Sequence, residues 1–225
     1  MPPLLLRLLR RAAPTWASAL NAGDILWHNL GWLRSVKNKR PTDQGGRPLP
    51  WMTYPALAWL DQLDFSDSRI FEYGAGWGTL HWAQRAKFVA AVERSAAWIQ
   101  ELHPLLPSNV RLHGPVNGED YIQCARQDGP WDLVIIDGSH RLECARVAVE
   151  VLAPGGFILL DNADWFVDAA DFLRTHGLIQ VDFQGFGPSN EYTWTTSVFL
   201  GPTFHTPRLS APWSHTDRGA IPYQP

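Results

Sequence analysis

The middle of the chain alternates short apolar bursts with stretches of helical spacing. Ile70-Phe-Glu-Tyr73, Phe88-Val-Ala-Ala-Val92 and Leu133-Val-Ile-Ile136 are near-continuous apolar runs, as expected of strands covered on both faces. The pattern predicts strands over 69–73, 88–92, 109–113, 132–136 and 156–160, with helices over 78–87, 95–103, 118–127 and 140–152 between them. Alternation at this interval implies parallel βαβ units. After a helix over 165–175 the pattern changes: 178–183 reads as a strand, 185–190 as a turn and 192–200 as a long β-branched and aromatic strand. The expected fold class is α/β, a doubly wound, Rossmann-like, mostly parallel seven-stranded sheet. A C-terminal antiparallel β-hairpin closes it and a helical extension precedes it.

Residues 1–40 read as irregular helix broken at Pro14 and Gly23, with Leu26, Leu30 and Leu33 near helical spacing. Pro41 to Pro50 is a polar, Gly- and Pro-containing loop, and Trp51 to Pro55 leads into a helix over 56–64. This divides the chain into an extension and linker (1–50), an α/β domain (51–201) and a Pro-rich tail (202–225).

Charge sharpens the division. The chain carries a net −3, yet residues 1–47 hold eight Lys and Arg against Asp24 and Asp43. A basic arm can meet an anionic substrate, a nucleic acid or lipid headgroups; the plainer expectation is a solvated helical face. Leu4 to Leu9, interrupted by Arg7, is too short for a signal peptide, and no run reaches membrane-spanning length. Docking on its own domain or on a second subunit of a homodimer is preferred to weak peripheral membrane contact. Cys124 and Cys144, without a Cys-x-x-Cys, read as reduced, buried residues of a cytoplasmic protein.

The candidate chemistry begins at Glu72-Tyr-Gly-Ala-Gly-Trp-Gly-Thr79, between a predicted strand and a predicted helix. Gly74, Gly76 and Gly78 allow a sharp turn and a close backbone approach to a ligand. The spacing departs from the dinucleotide fingerprint, because Thr79 occupies the third glycine's place. Glu72 would repel a pyrophosphate but suits a cationic amino-acid end. Glu93 closes the next strand, 21 residues after Glu72, where an acid can accept both ribose hydroxyls. This constellation resembles motif I and the ribose-binding acid of class I S-adenosylmethionine-dependent methyltransferases. The resemblance spans about residues 69–200 and implies cofactor contacts from Glu72, Tyr73, Gly74, Ala75, Gly76, Gly78 and Glu93. It adds Asp137, and Asp120, where the family often contacts adenine, although capping its own helix explains Asp120 equally well.

Asp137 ends the fourth predicted strand, and Asp161-Asn162 end the fifth. The set is similar to cation-dependent O-methyltransferases of the catechol, caffeoyl-CoA and macrolide-sugar type, which implies Mg²⁺ held by Asp137, Asp161 and Asn162. Two carboxylates and an amide oxygen are hard ligands suited to Mg²⁺, yet such acids also occur at strand ends of metal-free relatives, so both readings stand. His140 is the candidate base, with Asp137 as the second catalytic candidate and Asp164 in reserve. Arg141 reads as solvated. Trp77 and His81 flank the loop as cofactor contacts or as helix packing. No hydrolase elbow, Walker loop, metal-spaced histidine pair or internal repeat appears. The expectation is a methyltransferase acting on oxygen of a small molecule rather than on a nucleic acid. Metal-free N-methylation and a non-catalytic cofactor-binding module are the rivals.

Overall fold

The computed structural model describes residues 11–205 and Gly219; the Leu4–Leu9 stretch and the prolines from Pro207 onward lie outside them. Seven strands form one sheet: β1 (Arg69–Tyr73), β2 (Phe88–Val92), β3 (Val110–His113), β4 (Trp131–Ile136), β5 (Leu152–Leu160), β6 (Ile179–Gly185) and β7 (Trp194–Leu200). Their order is β3-β2-β1-β4-β5-β7-β6. The first five strands pair in parallel, and β7 runs antiparallel to both β5 and β6. The strand that reverses therefore lies inside the sheet, and β6 forms the edge.

Side chains leave the strands alternately toward two cores. Phe71, Val92, Val134, Ile136 and Leu160 point to one face. It is covered by α6 (Gly118–Gln123), α7 (Arg141–Val151) and α8 (Val167–Thr175), through residues such as Tyr121, Cys144, Ala148 and Leu173. Ile70, Val89, Leu133, Ile135, Phe157 and Val198 face the other way, onto α3 (Tyr54–Leu60) and α4 (Trp77–Ala83) through Leu57, Leu60 and Trp82. Covering on both faces explains why the central strands read as unbroken apolar runs. α5 (Ala96–Leu102) closes the end near β2 and β3, with Leu102 packed against Ala91 and Leu80.

The extension breaks at Pro14, as its sequence predicts, but not at Gly23. Arg11 and Ala12 are helical, Ala13 interrupts, and Pro14 opens a new helix, α1 (Pro14–Asp24), where its missing N–H is spare in the first turn. Gly23 stays within α1, where a Cβ would stand 2.8 Å from the Trp27 ring. A π-helical turn (Ile25–Asn29) leads to α2 (Trp32–Asn38). The extension and the segment that follows it grip the hairpin: Trp32 Nε1 donates to Asn190 O at 2.7 Å and Trp51 Nε1 to Asn190 Oδ1 at 3.1 Å. Thr53 adds bonds to Thr196 Oγ1 and Phe183 O. Elsewhere the shifts are at element ends. The first helix of the core starts at Trp77 and stops at Ala83, and β5 begins at Leu152, since Pro154-Gly155-Gly156 continue the extended chain.

Candidate active site

Parallel sheets of this order bind ligands beyond the carboxyl ends of the strands, where the winding reverses. Here that point lies between β1 and β4, and glycine makes it possible. Gly74 has φ +94°, and a Cβ there would stand 2.9 Å from Gly138 Cα. A Cβ on Gly138 would reach within 2.0 Å of the Tyr121 hydroxyl. The two loops thus close on each other with no room for a side chain.

Glu72 lies beneath the glycine loop and is almost fully buried. Gly76 N donates to Thr79 Oγ1 at 3.0 Å, and that hydroxyl donates to Glu72 Oε2. Thr79 therefore ties the acid to the loop from the place a dinucleotide fingerprint gives to glycine. Burial raises the Glu72 pKa from 4.5 to about 8; the Thr79 bond opposes the rise, and Asp137 and Glu93 add to it. A cationic group brought to this carboxyl would favour its ionised form.

Two adjoining cavities share Gly74, Glu93 and Gly138. One, of about 260 Å³, is lined by Glu72, the loop from Gly74 to Gly78, Asp137, Trp98, the extension residues Lys39 and Pro41, and Trp51 just after the extension. The other, of about 340 Å³, is lined by Arg94, Ser95, Asn117, Tyr121 and Ser139. Glu93 stands where they meet. Its Oε1 accepts from the backbone N–H of Arg94 (2.8 Å) and Ser95 (2.7 Å), which leaves its second oxygen for a ligand. Trp98 Nε1 donates to Ala75 O at 2.7 Å and holds the loop down. Arg94 spans to Asn117 Oδ1 and Ser139 Oγ, both at 2.8 Å, joining the loops that follow β2, β3 and β4.

Other sequence candidates fall elsewhere. The Tyr73 ring is buried in the core, and its hydroxyl donates to Ile122 O. Asp120 is exposed in the first turn of α6 and lines neither cavity, whereas Asn117 and Tyr121 beside it do. His140 is exposed at the start of α7 with φ +54°, its ring 6.3 Å from that of Tyr121, and it lines neither cavity. His81 lines a separate cavity of about 430 Å³ that shares no residue with these two. Asp164 accepts from Thr195 N and lines neither cavity.

Arg141 is the main correction. It is 8% exposed rather than solvated. Its guanidinium donates to the carbonyls of Gly138, Asp137 and Asp161 and to Asp137 Oδ1 at 3.2 Å, and it lies 4.3 Å from the Phe166 ring. The carbonyls at the ends of β4 and β5 lack ladder partners there, and a five-donor fork satisfies them together. Asp161 Oδ1 accepts from Trp194 Nε1 (3.0 Å) and Thr196 Oγ1. Burial, above all, raises both acids: Asp161 to about 6 and Asp137 well above the usual carboxylate range, with the Asp161 charge adding to the effect on Asp137.

These contacts bear on Mg²⁺. The Asp161 oxygen is taken by two donors from β7, and a guanidinium already occupies the cationic position between the two acids. A divalent ion there would meet like charge and displace buried hydrogen bonds, so the set does not suit a metal. Among the described residues no three His, Cys, Asp or Glu side chains converge as a metal-ligand group. The fit to an adenosyl cofactor is better: a glycine cradle that any Cβ would fill, an acid beneath it and a second acid between two joined cavities.

Comparison with known proteins agrees at the level of fold. No protein-family model matches the chain, and no curated protein matches it. Among solved structures, a precorrin-6y C5,15-methyltransferase from Geobacter metallireducens GS-15 is similar with a TM-score of 0.55. It is 16% identical over 74% of this chain and 96% of that one. A Klebsiella pneumoniae protein assigned as an O-methyltransferase is similar at 20% identity, over 65% and 76% of the two chains, with a TM-score of 0.50. The chain thus has the class I methyltransferase fold. A spermidine synthase from Thermotoga maritima shares it at 11% identity and a TM-score of 0.50, over 67% and 60% of the chains. The fold alone does not choose the reaction.

Proposed function

We propose that this protein is an S-adenosylmethionine-dependent methyltransferase that acts, without a bound metal, on an oxygen of a small molecule. The observation that carries the reading is Glu93, held by two backbone amides at the junction of two cavities whose shared wall is the Gly74–Gly138 contact. Glu72 and the loop from Gly74 to Gly78 would hold the amino-acid end, Glu93 the ribose, and Asn117 and Tyr121 would wall the base. When bound, the cofactor supplies a methyl group on a positively charged sulfur.

The chain's own work is then to align an acceptor and take its proton. Asp137 lines the cavity at this end, whereas His140 does not. Burial raises the proton affinity of the Asp137 carboxylate, and Asp137 is the proton acceptor in this reading. Arg141 orients it. Trp51 lines the cavity. A small acceptor is favoured over a nucleic acid because Arg40 and Arg47 of the basic arm are engaged by Glu101 and Asp43. Among the described residues no helix is long and apolar enough to cross a membrane, and the free, buried Cys124 and Cys144 suit a reducing compartment such as the cytoplasm.

Calorimetric titration with S-adenosylhomocysteine tests the reading. Micromolar binding that Glu93→Ala weakens at least tenfold is expected; the absence of heat and of any thermal shift at millimolar ligand would overturn it.

A further inference from the structure

Charge and hydrogen-bonding capacity in the cofactor cavity do not balance within the chain. The cavity lining includes three acids, Glu72, Glu93 and Asp137, and Lys39 is the cationic side chain among its described residues. Three indoles also line it. Trp98 Nε1 has Ala75 O at 2.7 Å, and Trp51 Nε1 has Asn190 Oδ1 at 3.1 Å. Trp77 Nε1 is buried with no hydrogen-bond partner among the described residues. Native proteins pair nearly all buried donors, and this orphan belongs to a residue that lines the cavity.

Lys39 is held at that wall by a scaffold that does not depend on its side chain. It ends α2 with φ +53°, a conformation a lysine adopts only where its surroundings impose it. Arg40 N bonds to Ser35 O, and the buried Ser35 hydroxyl exchanges bonds with Thr42 on the far side of the turn. Arg40 lies 4.8 Å above the Trp77 ring and pairs with Glu101, which fixes the indole while committing the arginine elsewhere. No ion pair or hydrogen bond among the described residues engages the Lys39 ammonium.

We infer that Lys39 and Trp77 Nε1 form the subsite for the α-carboxylate of the cofactor's amino-acid end, so that the N-terminal extension completes the cofactor site. This rests on the cofactor reading above. The acids account for an ammonium and for ribose hydroxyls but would repel a carboxylate; an ammonium and an indole N–H are the complementary pair. The basic arm then has a role that surface charge alone does not require, and an adenosyl ligand without a carboxylate should be discriminated against.

The test is calorimetry on the full chain with two ligands: S-adenosylhomocysteine and its decarboxylated analogue, which keeps the amine and loses only the carboxylate. The wild type should prefer the carboxylate-bearing ligand by about tenfold or more. Lys39→Met, at an exposed position, and Trp77→Phe, which keeps a ring beneath Arg40, should each lose most of that preference while binding the decarboxylated ligand as the wild type does. Variants that keep the full preference would overturn the inference and leave the cofactor assignment standing. A wild type that binds neither ligand would overturn both.

Discussion

Replacing Glu72 with Gln tests the electrostatics at the centre of the site. The carboxyl is almost wholly buried, and its pKa is raised from 4.5 to about 8. Its ionised form therefore costs about 5 kcal/mol more in the empty fold than in the open chain. Between those two pH values the folded chain binds more protons than the unfolded one, so stability falls as pH rises. This stabilisation is complete below pH 4.5 and is lost as pH climbs through about 8. The amide of Glu72→Gln is neutral throughout and can still accept the Thr79 hydrogen bond. Guanidinium unfolding of both proteins at pH 5, 6.5 and 8 should show near-equal stability at pH 5 and an advantage for the variant of up to about 4 kcal/mol at pH 8. Comparing the two proteins cancels the contribution of Asp161, which is not among the groups that shift Glu72. Binding supplies an independent reading: a cationic amine near Glu72 should expel its proton. Calorimetry at pH 7 in buffers of different ionisation enthalpy should then report release of close to one proton for the wild type and none for the variant. A stability difference that does not change with pH, together with no proton release, would refute the reasoning.

Three further outcomes follow from the same geometry. Gly74→Ala places a Cβ 2.9 Å from Gly138 Cα at φ +94°; it should cost about 2–4 kcal/mol in urea unfolding and abolish S-adenosylhomocysteine binding. Arg141→Met strands the carbonyls of Asp137, Gly138 and Asp161 and leaves two neighbouring acids without their cation. A loss of about 3–5 kcal/mol is expected, larger at pH 8 than at pH 5 because ionisation of both acids adds repulsion; equal losses at the two values would count against it. His140→Ala and added EDTA should each leave turnover within about twofold, whereas Asp137→Asn should reduce it at least a hundredfold. A collapse of turnover in His140→Ala would return the base to histidine, and a collapse in EDTA would return the metal.

The glycine loop was legible because its chemistry is local. Glu72, Thr79 and the three glycines lie within one strand-to-helix turn, and the bonds from Gly76 to Thr79 and from Thr79 to Glu72 connect residues at most seven apart. Glu93 was legible because strand length and burial put it at a strand end. Arg141 was misread because its partners come from the ends of β4 and β5, and nothing near it in the chain signals that those carbonyls need a donor. Asp120 and Tyr121 are adjacent, yet only Tyr121 turns toward the cavity; the direction is set by α6 packing against the core, where Tyr121 is almost wholly buried.

The alternation of apolar bursts with helical spacing, by itself, determined a doubly wound sheet, because strands covered on both faces and helices covered on one impose different periods. The glycine and acid spacing likewise marked the Glu72 loop as the candidate site, since such spacing is a property of neighbours in the chain. Tertiary structure alone decided that Lys39, Pro41 and Trp51 wall the cofactor cavity, that Arg141 stands between two acids, and that His140 lines neither cavity. These contacts join residues from separate elements, and their distances follow from how whole helices pack on the sheet.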